Sequence, residues 1–560
     1  MALAALVVAA SLAHLVPFAR AMATTSLWND EIYTNIVFSG KGPVRVLTFY
    51  EGNSHVLYNL VSSVFPGRRS MDPLRARVFS FLAVGLLLGG GLTLLWRRRR
   101  YLEGALFFSV FALHREFLDL TLQARGYGFL ALFAGVAAAS AVRFLETGER
   151  RPFLVAAAAT VLGTWTIPTF VFFGGSVLLL LFLRRPARDL LAIGAGAAAF
   201  SAALYVPLLG GLLEEMRLYP IRWGRFYSGF EQVGETIRLY FFPEALVSSA
   251  PAWLSFAVLA AIVVIPGLLP EDRRPEREAA WLLSSASLLF LTSCLALSTP
   301  PVRTTAFVAV PLVLAFLALL PRPETGSRVR AFLAAASLAF VMPASVSAVR
   351  AFHFVPMENW GELARFVEMT VPREGRIRVP KAGPLLAPYL PGRPPIVSGT
   401  GDDPFGQGVD LIVDDSRGEG VKLDGRLAPS SPLEFRFAQR RGGFLTAWLA
   451  PPVPPETRHI AAIRREAAEG GPGLLAVDLE PGLRYRSLVL RAPPGSVVSG
   501  TSWVGLESGW RSLDRESIVR GEDGLAVPLG GERVMSLVLR LSSTTDAAPD
   551  ASAVWAVPWD

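Results

Sequence analysis

Residues 78–100 read VFSFLAVGLLLGGGLTLLWRRRR. Residues 78–96 carry no charge, and four consecutive arginines, Arg97–Arg100, follow them. An uncharged apolar run of that length forms a helix that crosses the roughly 30 Å hydrocarbon core of a bilayer. A block of arginines at one end marks the side on which that end stays.

Outward from this stretch the pattern repeats. Apolar segments fall at 1–22, 78–96, 102–117, 126–144, 152–166, 168–184, 189–213, 251–270, 280–298, 303–320 and 330–350. Several are shorter than the ~20 residues of a perpendicular helix, chiefly within 102–184. Trp165 and Pro168 mark a turn between two of them. The composition agrees: of 560 residues, 52% are hydrophobic and 18% charged, with a mean hydropathy of +0.42. These values exclude a disordered chain and an ordinary soluble enzyme. The expected fold is a polytopic α-helical membrane domain of about eleven spans over 1–350. A juxtamembrane helix and mixed α/β linker unit follow over 351–429, then a soluble β-rich, sandwich-like domain over 430–560.

The formal charge is +8 and the pI near 9.8. In a membrane protein this excess is read as basic loops rather than as a nucleic-acid surface, so no nucleic-acid partner is expected. The loops 97–100, 143–151, 184–188, 271–278 and 321–330 hold 16 Lys+Arg in 36 residues. The alternate loops 23–77, 114–125, 214–250 and 299–302 hold 12 in 108. The dense side is assigned to the cytoplasm. That places the N-terminus inside and the C-terminal domain outside, in an inner or plasma membrane. Ala21-Met22-Ala23 is similar to a signal-peptide cleavage site, but no Lys or Arg precedes Arg20, so an uncleaved first span is expected. The lone cysteine, Cys294, lies in an apolar segment and cannot form an intrachain disulfide. With five histidines beside it, a structural zinc site is not expected.

Polar chemistry concentrates in the alternate, outer loops. The first carries Asp30 and Glu31 just beyond the first span, then Tyr33, His55, Leu57 and Tyr58. Taken locally, an Asp-Glu dipeptide reads as a solvated loop pair. Acids next to hydrocarbon otherwise need a partner or a task. Farther along stand Gln123-Ala124-Arg125-Gly126-Tyr127 and Pro300-Pro301-Val302-Arg303. His114, Glu116 and Asp119 form another polar group, a candidate for acceptor binding or for a divalent cation. No metal ligand is assigned.

Over roughly residues 1–370 these elements, in their order and sidedness, resemble the GT-C glycosyltransferases. The likeness is to the protein O-mannosyltransferase-like and lipid A aminoarabinose transferase-like branch. Asp30, Glu31 and Tyr33 are similar to that family's Asp-Glu-x-x-Tyr, with the tyrosine one place early. His55, Leu57 and Tyr58 are similar to its His/Lys-x-x-Leu-Tyr element. Gln123–Tyr127 resembles Glu-Ala-Arg-Gly-Tyr, with Gln123 where Glu is usual. Arg303 stands where relatives place an arginine near the lipid phosphate, and Asn359-Trp360 follows the last span as in the family.

The resemblance implies an enzyme that moves a hexosyl or pentosyl group from a polyprenyl phosphate to a lipid, glycan or protein acceptor at the outer membrane face. A phosphate leaving group needs positive charge rather than a general acid, and arginine's fork bonds two phosphate oxygens. Arg125 and Arg303 are the first choices; Arg217, Arg222 and Arg225 are weaker. Headgroup snorkelling is the competing reading of each. Asp30 is assigned as the base in an inverting displacement, activated by partial burial. Glu31 stands with it as a second catalytic acid or an orienting group. His55 is assigned to phosphate or sugar, and Tyr58 and Tyr127 to sugar stacking or interfacial anchoring.

Beyond the spans, Trp360, Leu363 and Val367 recur at helical spacing, as in a helix lying on the membrane surface. Strands are expected at 376–379, 409–413, 433–437, 474–479, 485–490, 502–506, 534–541 and 554–557, separated by Gly and Pro clusters. Trp448, Trp503 and Trp510 are either sugar-stacking faces or core residues. Two other readings stand beside the transferase: a transporter or lipid flippase with an external β domain, and a non-catalytic scaffold.

Overall fold

The computed structural model describes residues 2–52, 54–65, 71–223, 264, 274–297, 302–320, 360–379, 386–393, 396, 409–414, 433–438, 444–449, 459–466, 473–480, 483–491, 497–498, 503–506, 509–513, 518–520, 524–542 and 554–558. It divides into two compact units. One comprises Met1–Thr25 with Asp30–Phe354, the other Ser26–Asn29 with Val355–Asp560.

The first unit is helical. Its described helices are α1 (Ala2–Thr24), α2 (Asn29–Tyr33), α3 (Pro43–Thr48), α4 (Val56–Val64), α5 (Pro73–Arg97), α6 (Tyr101–Ala112), α7 (Arg115–Thr121), α8 (Tyr127–Thr147), α9 (Arg150–Thr166), α10 (Phe170–Arg184), α11 (Arg188–Tyr205), α12 (Leu209–Trp223), α13 (Arg274–Leu297) and α14 (Ala309–Leu319). Among the described residues four helical stretches are long and apolar enough to cross a membrane: Ala2–Thr24, Pro73–Arg97, Tyr127–Thr147 and Arg188–Glu215. The chain is therefore an integral membrane protein. The expected spans at 251–270 and 330–350 lie outside the described residues.

The segment 102–117 is not one span. It breaks at Leu113-His114 into α6 and α7. Twelve residues of α6 reach only about 18 Å, short of the roughly 30 Å hydrocarbon core. The cause is local: the His114 Nδ1 caps α7 by accepting the Phe117 N–H at 3.2 Å. The turn expected between 152–166 and 168–184 falls at Ile167–Thr169, where α9 gives way to α10.

Small residues let these helices close on each other, as lipid supplies no hydrophobic force between them. Ala131, Ala134, Ala138 and Ala141 of α8 are fully buried. A Cβ on Gly135 would lie 2.8 Å from Leu87, and one on Gly174 2.5 Å from Thr160. Phenylalanines fill the remaining space. The Phe307 ring packs 5.0 Å from Phe170, 5.6 Å from Phe173 and 5.0 Å from Phe290, which anchors the 3₁₀ turn Val302–Val308 ahead of α14.

The arginine-rich connections gather at one end of the bundle. Arg98 pairs with Glu146 at 2.7 Å and Arg150 with Asp189 at 2.5 Å. Arg184 pairs with Glu278, and Arg100 donates to the Leu317 carbonyl at 2.8 Å. Because α5 runs from Pro73 to Arg97, Arg77 and the residues it holds lie at the opposite end.

In the second unit, helix α15 (Trp360–Thr370) precedes strands β1 (Arg376–Arg378), β2 (Val409–Asp414), β3 (Leu433–Ala438), β4 (Phe444–Leu449), β5 (Ile460–Glu466), β6 (Gly473–Leu479), β7 (Tyr485–Arg491), β8 (Val497–Val498), β9 (Trp503–Leu506), β10 (Gly509–Ser512), β11 (Val519–Arg520), β12 (Gly524–Glu532), β13 (Val534–Ser542) and β14 (Val554–Pro558). Three sheets form, ordered β1-β2-β4-β3, β10-β9-β13-β6-β5 with β8 on β13, and β11-β12-β7-β14. The last two are antiparallel and share one apolar core. Val477, Val504, Leu537 and Leu539 come from one sheet, Leu488, Leu490, Val527 and Ala556 from the other. This is a sandwich.

Two expectations change here. β3, placed in the sandwich by its alternation, pairs instead with β4, which pairs with β2, and β2 pairs in parallel with β1. Alternation shows that a strand has a buried face but not which sheet it joins. Nor does α15 lie on a membrane surface: its apolar face is buried on protein. Trp360, Leu363, Phe366 and Val367 are buried, the Phe366 ring lies 4.4 Å from Phe435, and the Ser487 hydroxyl donates to the Met369 carbonyl at 2.6 Å. The side chains of Trp448, Trp503 and Trp510 lie outside the described residues.

Phe435 is fully buried on β3. Phe435→Ala is expected to cost about 3–5 kcal/mol of local stability, read as lower protection of α15 amides in hydrogen exchange. Unchanged protection would show that this ring contact does not hold α15.

Candidate functional site

Asp30 sits in α2, a five-residue helix entered directly from α1 through a short extended link. Its Oδ2 accepts from Arg125 Nη1 at 2.5 Å and from Arg303 Nη1 at 2.7 Å. The two guanidiniums arrive from distant parts of the chain, the turn between α7 and α8 and the 3₁₀ turn before α14. The side chain of Arg125 is 2% exposed, that of Asp30 19% and that of Arg303 29%. The cluster thus runs from a buried wall to a reachable edge. Each guanidinium carries five N–H donors.

His55 closes the group from the side. Its Nε2 lies 2.8 Å from Arg125 Nη2, and its Nδ1 lies 3.1 Å from the Gly126 N–H. Both neighbours are donors, and a neutral imidazole has one acceptor nitrogen, so a given tautomer satisfies one of the two contacts. Burial, then Arg125, then Arg303 hold the His55 pKa well below the usual histidine range. Gly126 permits this approach by size: a Cβ there would lie 2.5 Å from Thr166 and 2.8 Å from His55 Nδ1. Tyr127 backs the pair, with its ring edge-on to His55 at 4.7 Å and the Arg125 guanidinium 5.0 Å from its centre.

Glu31, adjacent in sequence, belongs to a different network. It is fully buried. Arg77 of α5 grips it bidentately, Nε to Oε1 at 2.7 Å and Nη2 to Oε2 at 2.5 Å. The Ala124 N–H donates to Oε1 at 2.6 Å. Arg77 Nη1 also donates to the Thr25 carbonyl at 2.9 Å and to that of Met22. Ser80, one helical turn on, donates to the Gln123 carbonyl at 2.5 Å and that of Arg125 at 3.2 Å.

Asp30, His55, Arg125 and Arg303 are thus brought together, and Tyr127 stands behind them. Tyr58 is placed apart: it is buried, its hydroxyl donates to the Ala76 carbonyl at 2.6 Å, and its ring packs 5.6 Å from Phe129. Tyr33, one turn after Asp30, donates to Glu51 at 2.5 Å, and burial followed by that bond raises its pKa. Arg217 is exposed on α12, while the Arg222 side chain and Arg225 lie outside the described residues. His114, Glu116 and Asp119 do not assemble a cation site: among the described residues no three His, Cys, Asp or Glu side chains gather to hold a metal ion. Burial alone was the ground for reading Asp30 as an activated base. The structure adds two guanidiniums that compete for the lone pairs a base uses. Arg77 and Ser80 were not singled out in the sequence, although an arginine one turn inside an apolar helix needs a partner.

No protein-family model and no curated relative matches the chain. Among solved structures it is similar to arabinofuranosyltransferase AftD from Mycobacteria, at 13% identity and TM-score 0.41 over 99% of this chain and 58% of that one. It is similar to ArnT from Cupriavidus metallidurans in the apo state, at 13% and 0.35 over 80% and 98%. It is also similar to arabinosyltransferase EmbB from Mycobacterium smegmatis, at 13% and 0.35 over 100% and 64%. The chain therefore spans less than two thirds of the length of AftD and of EmbB. All are GT-C fold glycosyltransferases, the class that the outer-loop motifs resemble. At these TM-scores no residue role passes from them to this chain.

An unfolded histidine binds its proton near pH 6.5, whereas folded His55 binds one only at lower pH. The unfolded state then holds more protons below about pH 6.5, and stability falls as the pH is lowered through that value. His55→Gln removes this contribution. Its melting temperature is expected to drop less than the wild type's between pH 7 and pH 5; equal drops would mean that His55 is not held neutral.

Proposed function

We propose that the protein is a membrane glycosyltransferase that moves a sugar from a polyprenyl phosphate to a hydroxyl or amine acceptor at the outer face of the membrane. The observation that carries this reading is the single Asp30 oxygen shared by Arg125 and Arg303 at the end of the bundle opposite the arginine-rich connections. Positive-inside bias makes that end extracytoplasmic and the N-terminus cytoplasmic.

The chemistry follows from the charges. The donor's phosphodiester is a monoanion with several acceptor oxygens, the polyprenyl phosphate that leaves gains a second negative charge, and both suit two converging guanidiniums better than one carboxylate oxygen does. As the phosphate enters, Arg125 and Arg303 turn towards it and release the Asp30 lone pairs. Asp30 then accepts the acceptor's proton while the acceptor attacks the anomeric carbon. The bond from that carbon to the phosphate oxygen breaks, and the electron pair leaves on the phosphate, held by the same arginines. One displacement inverts the anomeric centre. His55, neutral and buried, keeps Arg125 in place and adds no competing charge.

A transporter is less well supported. Among the described helices of the first unit, charged side chains lie towards the two ends of the bundle, and the converging set is at one end rather than along a path.

Asp30→Asn is expected to lower transfer about 10²–10⁴-fold in protein that still expresses and folds, with a lower melting temperature because the buried Arg125 loses its ion pair. Arg303→Gln is expected to raise the KM for the lipid donor. The assay is consumption of labelled polyprenyl-phosphate sugars by reconstituted protein. Full activity of Asp30→Asn would remove it as the base, and no consumption of any such donor by the wild type would overturn the reading.

A further inference from the structure

Two short segments deliver the opposing charges of the cluster: α2 brings Asp30, and the turn between α7 and α8 brings Arg125. Neither has many residues with which to hold itself. Each, however, has a neighbour of its charged residue in one buried network. Glu31 follows Asp30, and Ala124 precedes Arg125. The Ala124 N–H donates to Glu31 Oε1 at 2.6 Å, and Arg77 holds both Glu31 oxygens. The same guanidinium donates to the last carbonyls of α1, where the chain turns towards α2. Ser80 of the same helix holds the carbonyls of Gln123 and Arg125.

We propose that Glu31 and Arg77 are a positioning pair. Arg77, standing on the long rigid helix α5, sets the spacing between Asp30 and Arg125, and Glu31 takes no proton in the reaction. The geometry supports this in three ways. Glu31 is fully buried and Arg77 nearly so, so the pair is beyond the acceptor's reach. A bidentate fork fixes direction as well as distance, which a single ammonium cannot do. The Ala124 N–H ties the two segments directly rather than through the solvent-reachable Arg303. A buried pair of this kind adds little net stability, because its desolvation offsets much of its attraction, but losing one partner leaves a buried charge. Its role is therefore in specifying geometry.

The kinetic consequence rests on the glycosyl-transfer reading, and the structural one does not. The test uses the full chain in lipid nanodiscs. Arg77→Lys keeps the charge and removes the fork. The double variant Glu31→Gln with Arg77→Met removes both buried charges and is the safer folder. With either, kcat is expected to fall about 100-fold, as for a displacement of about 1 Å. The donor KM should stay within about threefold and the shape of the pH–rate profile should be unchanged. Hydrogen exchange should rise together in 27–33 and 122–126. In the wild type, the Ala124 amide should be strongly protected.

Unchanged kcat, or exchange that rises in one segment alone, would overturn the proposal. A pH–rate limb lost in the single variant Glu31→Gln would make Glu31 a proton-transfer group instead. Rapid exchange of Ala124 in the wild type would count against the pair even if neither variant folded. If the wild type consumes no lipid-linked sugar, the glycosyl-transfer reading fails, and the exchange measurements still decide the positioning role.

Discussion

A carboxylate oxygen shared by two guanidiniums organises the reachable end of the helical bundle. Asp30 cannot meet Arg125 and Arg303 unless three separate connections arrive at one point: the exit from α1, the turn between α7 and α8, and the 3₁₀ turn before α14. Charges placed at the rim of an apolar bundle are costly unless they are paired. Pairing here sets two guanidiniums on one carboxylate oxygen. In the proposed reaction, competition between the donor's phosphate and Asp30 for the same guanidinium donors links donor binding to release of Asp30.

The packing beneath explains how such a group is held. Fully buried alanines and close-set glycines let α8 and its neighbours approach to backbone range, and stacked phenylalanines around Phe307 fix the turn that carries Arg303. Gly126 does the same at the site itself: its missing side chain is where His55 sits. The other end of the bundle is built differently. Its arginines pair with Glu146, Asp189 and Glu278 across neighbouring connections, many of them exposed. Exposed ion pairs of that kind contribute little to stability; their number is better explained by sidedness in the membrane.

Much of this was legible before any coordinates. Apolar runs separated by arginine-rich loops define a helical membrane domain, and the described basic connections do meet at one end. Asp30, His55, Arg125 and Arg303 were picked out by their resemblance to a family's motifs in order and sidedness; taken locally, the Asp-Glu pair reads as solvated loop acids. Tyr58 was picked out by the same motif and lies elsewhere, its hydroxyl on a backbone carbonyl. Glu31 was paired with Asp30 by the Asp-Glu motif they share. In a helix, consecutive residues point about 100° apart, so neighbours in sequence can serve different networks. Arg77 was counted as one more loop charge, because hydropathy places it at a boundary without showing what it reaches.

Amino-acid order by itself determined the quantities that add up along the chain: the lengths of apolar runs, the side bearing the arginines, the alternation of strands, and the presence of costly charges at the outer boundary. Tertiary structure alone decided the rest. It broke 102–117 at His114, took β3 out of the sandwich, turned α15 onto protein, and gave Asp30 and Glu31 different partners. The physical reason is range. Hydropathy and local propensity act over a turn or two, whereas an ion pair between residues 30 and 303, or a carboxylate gripped from position 77, depends on where distant helices pack. No local pattern encodes that.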